Sequence, residues 1–193
     1  MLKCLERHGI KATFFLIGEQ LLAPGALQLA QLARSEGHWL GNHTFSHRTP
    51  LGQLPAEEAL SEFDRTQAAV EQTGETRRLF RPYGGGGRVG KHLMQASVVE
   101  RMVELRYTCV LWNSVPGDWR DPDGWMARAL TDVATRDWSL VVLHDINAAA
   151  MGHLGAFIER LKLDGYEFPQ QFPPDCTPLI DGQIVQPMAG LIT

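Results

Sequence analysis

The strongest constraint on the fold of this chain is a change of hydrophobic period that repeats along most of its length. Ala12 to Gly18 is a short, almost continuous apolar run bounded by glycine, which suits a strand covered on both faces. From Ala26 to Glu36 the apolar residues Leu27, Leu29, Ala30, Leu32 and Ala33 recur at helical spacing and stop at Gly37. A second strand is expected over His38 to Asn42, then a helix from Pro55 with Ala59, Leu60, Phe63, Ala69 and Val70 inward, ended by Thr73 and Gly74. The alternation continues with a strand at Arg78 to Arg81, a helix from Gly90 to Leu105, and a strand from Tyr107 to Trp112. A helix from Gly124 to Arg136, a fifth strand from Trp138 to Leu143, a helix over Met151 to Leu163 and a brief strand at Tyr166 to Phe168 complete it. Strand and helix in turn, joined by short connections, imply an α/β fold with parallel strands and outer helices, either open or closed into a barrel. No repeat and no linker interrupts residues 1–193, so one domain is expected, with an irregular tail over residues 169–193.

In such folds the loops after the strands share one rim, and active sites are built there. The polar residues of this sequence that invite chemistry fall on those loops: His43 and His47, Arg81 and Gly84, Asp118 and Trp119, His144 and Asp145. A chain of 193 residues buries roughly 70% of its unfolded surface and needs no metal staple, so a metal here is expected to be functional. Its 18 basic and 22 acidic residues, with no Lys/Arg block, argue against a nucleic-acid partner. Three widely spaced cysteines, Cys4, Cys109 and Cys176, make neither a disulfide framework nor a metal clip. No window reaches the ~18 apolar residues of a membrane span, and the charged start lacks a signal peptide's apolar stretch, so as written the chain is expected to be neither anchored nor exported.

His43 and His47 stand four residues apart, and one helical turn after the strand would aim both imidazoles at one point, as tetrahedral zinc requires. Phe80-Arg81-Pro82-Tyr83-Gly84 puts a permanent charge at a strand end, ahead of a loop whose N–H groups can face an oxyanion. Asp118 is a carboxylate able to orient that arginine, and Trp119 either walls an apolar pocket or packs in the core. His144 beside Asp145 ends a buried run, where an imidazole suits a general acid near neutral pH. One rival motif, Gly85 to His92, has the spacing of a phosphate-binding loop, but His92 stands where a magnesium-binding hydroxyl is needed.

Taken in order, these motifs resemble the polysaccharide deacetylase family, carbohydrate esterase family four. Ala12-Thr13-Phe14-Phe15 with Gly18 is similar to the family's second strand, and His43-x-x-x-His47 to its metal-binding motif. Phe80 to Gly84 is similar to its arginine motif, Asp118-Trp119 to its Asp-Trp motif, and Leu143-His144-Asp145 to its closing Leu-His-Asp. The resemblance implies a distorted (β/α) barrel and a hydrolase of non-peptide carbon–nitrogen bonds, removing N- or O-acetyl groups from a carbohydrate. It implies Zn2+ or another divalent transition metal on His43 and His47. It makes His144 the acid for the departing amine, with Arg81 and Asp118 fixing charges. Tyr83 then offers its N–H to the oxyanion, and Trp119 and Leu143 line the acetyl pocket.

The family's first strand ends in Thr-Phe-Asp-Asp-Gly, whose Asp pair supplies the base and a third metal ligand, and residues 1–193 contain no such motif. Leu2, Leu5 and the terminator Gly9 look like the helix that follows that strand. Two expectations therefore stand side by side: a natural protein with an upstream strand, or a non-catalytic carbohydrate-binding remnant. Tyr83, in place of a second Pro, and the run Gly85-Gly86-Gly87 also depart from the family's arginine motif.

Overall fold

The computed structural model describes all 193 residues, which divide into two compact units: Thr13–Leu111 with Thr177–Thr193, and Met1–Ala12 with Trp112–Cys176. The first unit is built on a six-stranded sheet whose spatial order follows the chain. Strands β1 (Thr13–Leu16), β2 (Trp39–Asn42), β3 (Leu79–Phe80) and β4 (Thr108–Cys109) are parallel, as the alternating periods require. Between them lie α1 (Gly18–Leu21), α2 (Ala26–Ser35), α3 (Ala56–Glu71) and α4 (Ala96–Glu104). Phe63 of α3 is fully buried, with its ring 5.1 Å from Phe80 and 4.8 Å from Tyr107, and these aromatics join helix to sheet. Gly41 is forced by its neighbours, since a Cβ there would sit 2.7 Å from the Phe15 ring across the ladder.

The tail departs from expectation. Instead of irregular packing, Leu179–Ile180 (β5) and Gln183–Ile184 (β6) form a hairpin, and β5 pairs antiparallel with β4. Its turn is Asp181-Gly182 with φ of 49° and 79°, the twist that a two-residue hairpin demands and that Asp-Gly supplies. Gly182 is required twice, because a Cβ would also lie 2.7 Å from the Val103 carbonyl. The Arg106 guanidinium grips both Asp181 oxygens and holds that carboxyl below its ordinary range.

The second unit is helical: α5 (Leu2–His8), α6 (Trp125–Ala134), α7 (Ala148–Gly152) and α8 (Leu154–Leu163). Trp125 is its anchor, fully buried, edge-on to Phe157 at 5.1 Å, its indole N–H donating to the Ala150 carbonyl at 3.1 Å. The helix expected over Met151 to Leu163 is two helices meeting at His153, and Asn147 caps the first by accepting from the Ala149 N–H. The fifth strand expected at Trp138 to Leu143 is reduced to one parallel bridge, Ser114 to Val141. There the Asn113 side chain accepts the Leu140 N–H at 2.7 Å and replaces a backbone ladder partner. Tyr166 to Phe168 is not a strand, and the helix expected from Gly90 begins only at Ala96, after a short 3-10 turn at Lys91–Leu93. No helix is long and apolar enough to cross a membrane.

Burial also separates the three thiols. Cys109 and Cys176 are sealed in, whereas Cys4 is partly exposed. Burial pushes the Cys109 thiol up to about 12, with the nearby Arg81 charge opposing. Because the thiolate is the reactive form, a thiol reagent at pH 8 is expected to modify one cysteine, Cys4, in the native chain and all three in denaturant. Rapid native labelling of Cys109 would contradict this packing.

Candidate active site

The pairing of Asn42 opposite Phe80 sets the ends of β2 and β3 level, and the first cluster is built from that register. The Arg81 N–H donates to the Asn42 carbonyl at 2.9 Å, and the Arg81 carbonyl accepts the His43 Nδ1–H at 2.7 Å. A carbonyl has no proton to give, so Nδ1 carries the ring hydrogen and Nε2 is the basic nitrogen of neutral His43. His47 Nε2 lies 3.2 Å from His43 Nε2. Without a metal, His47 must donate across that gap. Two Zn–N bonds at a tetrahedral angle would set their nitrogens about 3.3–3.4 Å apart, so the spacing suits a shared divalent cation.

The segment that carries the pair is not the helical turn expected from its spacing. Residues 43–47 form a loop in which Thr44 and His47 have φ of 66° and 55°. The loop bends because its backbone groups are claimed from outside. Asn42, fully buried, takes the Thr44 N–H on Oδ1 and gives its amide N–H to the Phe63 carbonyl. The N–H groups of Gly18 and Glu19 bond the carbonyls of Thr44 and Phe45, and Glu62 Oε2 accepts from both the Phe45 and Ser46 N–H groups, at 2.9 and 2.8 Å. Gly18 permits that approach, since a Cβ there would meet the Phe45 ring at 2.6 Å. Asn42 and Glu62 carry no signal in the sequence reading: the first hides at a strand end, the second on a helix face 15 residues after His47.

Tyr83 lies against the His47 ring, centroids 4.0 Å apart, and Arg81 is buried with its guanidinium 4.2 Å from the Phe15 ring centre and its Nε donating to the Val110 carbonyl. Gly85, Gly86 and Gly87 all have positive φ in a turn that leads into the 3-10 turn, not a helix, so the phosphate-loop reading lacks its helix N-terminus. No group of three or more His, Cys, Asp or Glu side chains is arranged to hold a metal.

The second cluster belongs to the other unit. Asp118 is fully buried, its Oδ2 accepting the His144 backbone N–H at 2.7 Å and its Oδ1 the His144 Nδ1–H at 2.9 Å. The carboxylate thereby fixes both the main chain and the ring of His144, and leaves Nε2 as the ring nitrogen not bonded to it. Trp119 stands edge-on to that ring at 4.7 Å. Leu143 precedes His144 on the same segment and is half-buried, while Asp145 is exposed. An amide in place of the carboxylate can accept only one of the two N–H groups. Asp118→Asn is therefore expected to cost about 1–3 kcal/mol in urea unfolding and to reduce the Nδ1–H form of His144 in long-range 15N NMR. An unchanged tautomer and stability would show that the carboxylate does not set the ring.

A polysaccharide deacetylase family model matches residues 1–110, more than half of the chain. The peptidoglycan-N-acetylglucosamine deacetylase PgdA of Listeria monocytogenes is 28% identical over 169 residues, covering 87% of this chain and 34% of its own length. The chain thus spans about a third of that curated relative. A crystal structure of a Bacillus cereus polysaccharide deacetylase superposes with a TM-score of 0.72 at 25% identity, covering 94% of this chain and 91% of that one. A mutant of a Bacillus anthracis pseudoenzyme of carbohydrate esterase family four, with restored enzymatic activity, matches at a TM-score of 0.72 and 25% identity, over 86% of this chain and 57% of that one. With the fold shared at that level and the family model spanning the four parallel strands, the His pair and the arginine loop, this chain belongs to the polysaccharide deacetylase family.

Proposed function

We propose that this chain is a metal-dependent deacetylase-type hydrolase that removes acetyl groups from an acetylated carbohydrate. The observation that carries the reading is the His43–His47 pair, with Nε2 atoms 3.2 Å apart and the His43 tautomer set by the Arg81 carbonyl. These two side chains would hold zinc or another divalent transition metal. The chemistry supplied by the bound metal is Lewis-acid polarisation of the acetyl carbonyl and acidification of a water. The Tyr83 N–H donates to the oxyanion as charge grows on it. His144 Nε2 delivers the proton to the departing amine, while Asp118 holds the ring and offsets the charge it carries. Trp119 and Leu143 exclude water from around the acetyl methyl, and Arg81 supplies a fixed positive charge. The Listeria relative's activity makes an N-acetylated amino sugar the first substrate to test.

A second reading, a carbohydrate-binding chain that performs no chemistry, is favoured by one observation: the His pair has no carboxylate grouped with it as a third ligand. A catalytic zinc centre normally has three protein ligands and a water. Calorimetry of zinc binding separates the readings from an unrelated role. Micromolar binding is expected for the native chain, and its loss in His43→Ala/His47→Ala, which removes both donor nitrogens. Zinc-dependent acetate release from N-acetylglucosamine oligomers then supports hydrolysis, and oligomer binding without release supports the second reading. Equal zinc binding by the native chain and the double variant would overturn the metal assignment.

A further inference from the structure

The five backbone groups from the Thr44 N–H to the Ser46 N–H are all bonded to partners outside the loop's own turn. The Thr44 N–H goes to Asn42 Oδ1, the Thr44 and Phe45 carbonyls to the Gly18 and Glu19 N–H groups, and the Phe45 and Ser46 N–H groups to Glu62 Oε2. Only one of these partners is charged, and it holds two of the five groups on a single oxygen. Two consecutive amides converging on one anion is the arrangement by which a bent backbone binds a carboxylate. Charge-assisted bonds of this kind are the strong ones in such a set.

The loop needs them. Thr44 is β-branched and sits at φ 66°, His47 at φ 55°, conformations that side-chain sterics disfavour and that persist only when the surroundings over-determine them. Relaxing Thr44 to negative φ would swing the chain between the two imidazoles, and the 3.2 Å approach of their Nε2 atoms depends on that chain path. The helix α3 therefore grips the loop at three places: the Glu62 carboxylate, the Phe63 carbonyl that receives Asn42, and the Arg65 guanidinium 3.6 Å over the Phe45 ring. Of these, Glu62 alone bonds the backbone of the segment between the histidines.

We infer that Glu62 is a positioning residue for the histidine pair: by clamping the Phe45 and Ser46 amides, it sets the affinity with which His43 and His47 hold a divalent metal. The inference rests on the metal reading above and adds to it a residue that touches neither metal nor substrate. Groups that orient metal ligands typically change affinity 10–100-fold when removed. Zinc titrations by calorimetry on the full chain test it, with melting temperature measured in chelator for every variant. Glu62→Ala is expected to weaken zinc binding at least ~10-fold, and Glu62→Gln, which keeps an acceptor oxygen of the same reach, to restore most of the loss. Asp64→Asn, a change to a neighbouring α3 carboxylate that pairs with Arg101 instead of the loop, is expected to leave affinity unchanged.

A Glu62→Ala chain that melts lower in chelator but binds zinc like the native one would assign Glu62 a merely structural role and overturn the inference. If Glu62→Ala does not fold, Glu62→Asp, which withdraws the carboxylate from the Phe45 and Ser46 amides by one methylene, decides: a measurable loss of affinity at unchanged melting temperature supports positioning, and native affinity rejects it. Native chain without His43- and His47-dependent zinc binding would overturn the metal reading and the inference together. Native binding that survives every Glu62 change overturns the inference alone.

Discussion

The parallel register between β2 and β3 is the constraint from which the first cluster follows. Asn42 is level with Phe80, so the residues immediately after the two strands, His43 and Arg81, leave the sheet side by side. One consequence is chemical: the Arg81 carbonyl, no longer needed by a ladder, fixes the proton on His43 Nδ1. Another is electrostatic. Arg81 is buried beside the Phe15 ring of β1 and bonded to the carbonyl of Val110, the residue after β4, so its charge is held in one place. A slip of one residue in this pairing would exchange the faces of every side chain involved. The aromatic contact of Phe63 with Phe80 and Tyr107 opposes such a slip, because it fits only when Phe80 points to α3.

The strain in the histidine loop and the bonds that offset it are of similar size. A non-glycine residue in the left-handed region costs roughly 1–2 kcal/mol, and two are present at Thr44 and His47. An ordinary hydrogen bond contributes about 0.5–1.5 kcal/mol net and one to a charged group about 1.5–3. The neutral bonds from Asn42, Gly18 and Glu19 are thus comparable with the strain, and the Glu62 bonds tip the balance toward the bent form. Pre-organisation of the imidazoles is in this sense distributed over a strand end and two helices.

The sequence makes the alternation of strand and helix legible because a buried parallel strand and an amphipathic helix have different periods, and the motif residues fall on the expected loops. His43, His47, Arg81, Asp118 and His144 were all placed by that logic. What it misses are arrangements in which a side chain replaces a backbone partner. Asn113 takes the Leu140 N–H and dissolves most of a strand that apolar content alone suggests. Glu62 and Asn42 bend a segment whose i,i+4 histidines imitate a helix. The hairpin at Leu179 to Ile184 is hidden for a different reason: Asp181-Gly182 is a strong turn signal, but the flanking strands are two residues long and their surroundings are rich in proline, so no alternation marks them.

Both clusters treat histidine in the same way, with Nδ1–H donated to a fixed oxygen and Nε2 left as the second ring nitrogen. The oxygens differ, and so does the consequence. His43 leans on a neutral carbonyl, which fixes the tautomer while adding no charge, an arrangement that fits the metal-ligand role proposed for its Nε2. His144 leans on a buried carboxylate, which fixes the Nδ1–H tautomer, the ring and the main chain of the residue together. If the pair holds a metal as proposed, two neutral donors would leave its positive charge uncompensated, which would weaken its hold relative to a site with a carboxylate ligand yet strengthen its pull on the electrons of a water or carbonyl. Affinity and Lewis acidity would then be opposed in this donor pair, and the rigidity of the loop would be the lever that raises the first without lowering the second.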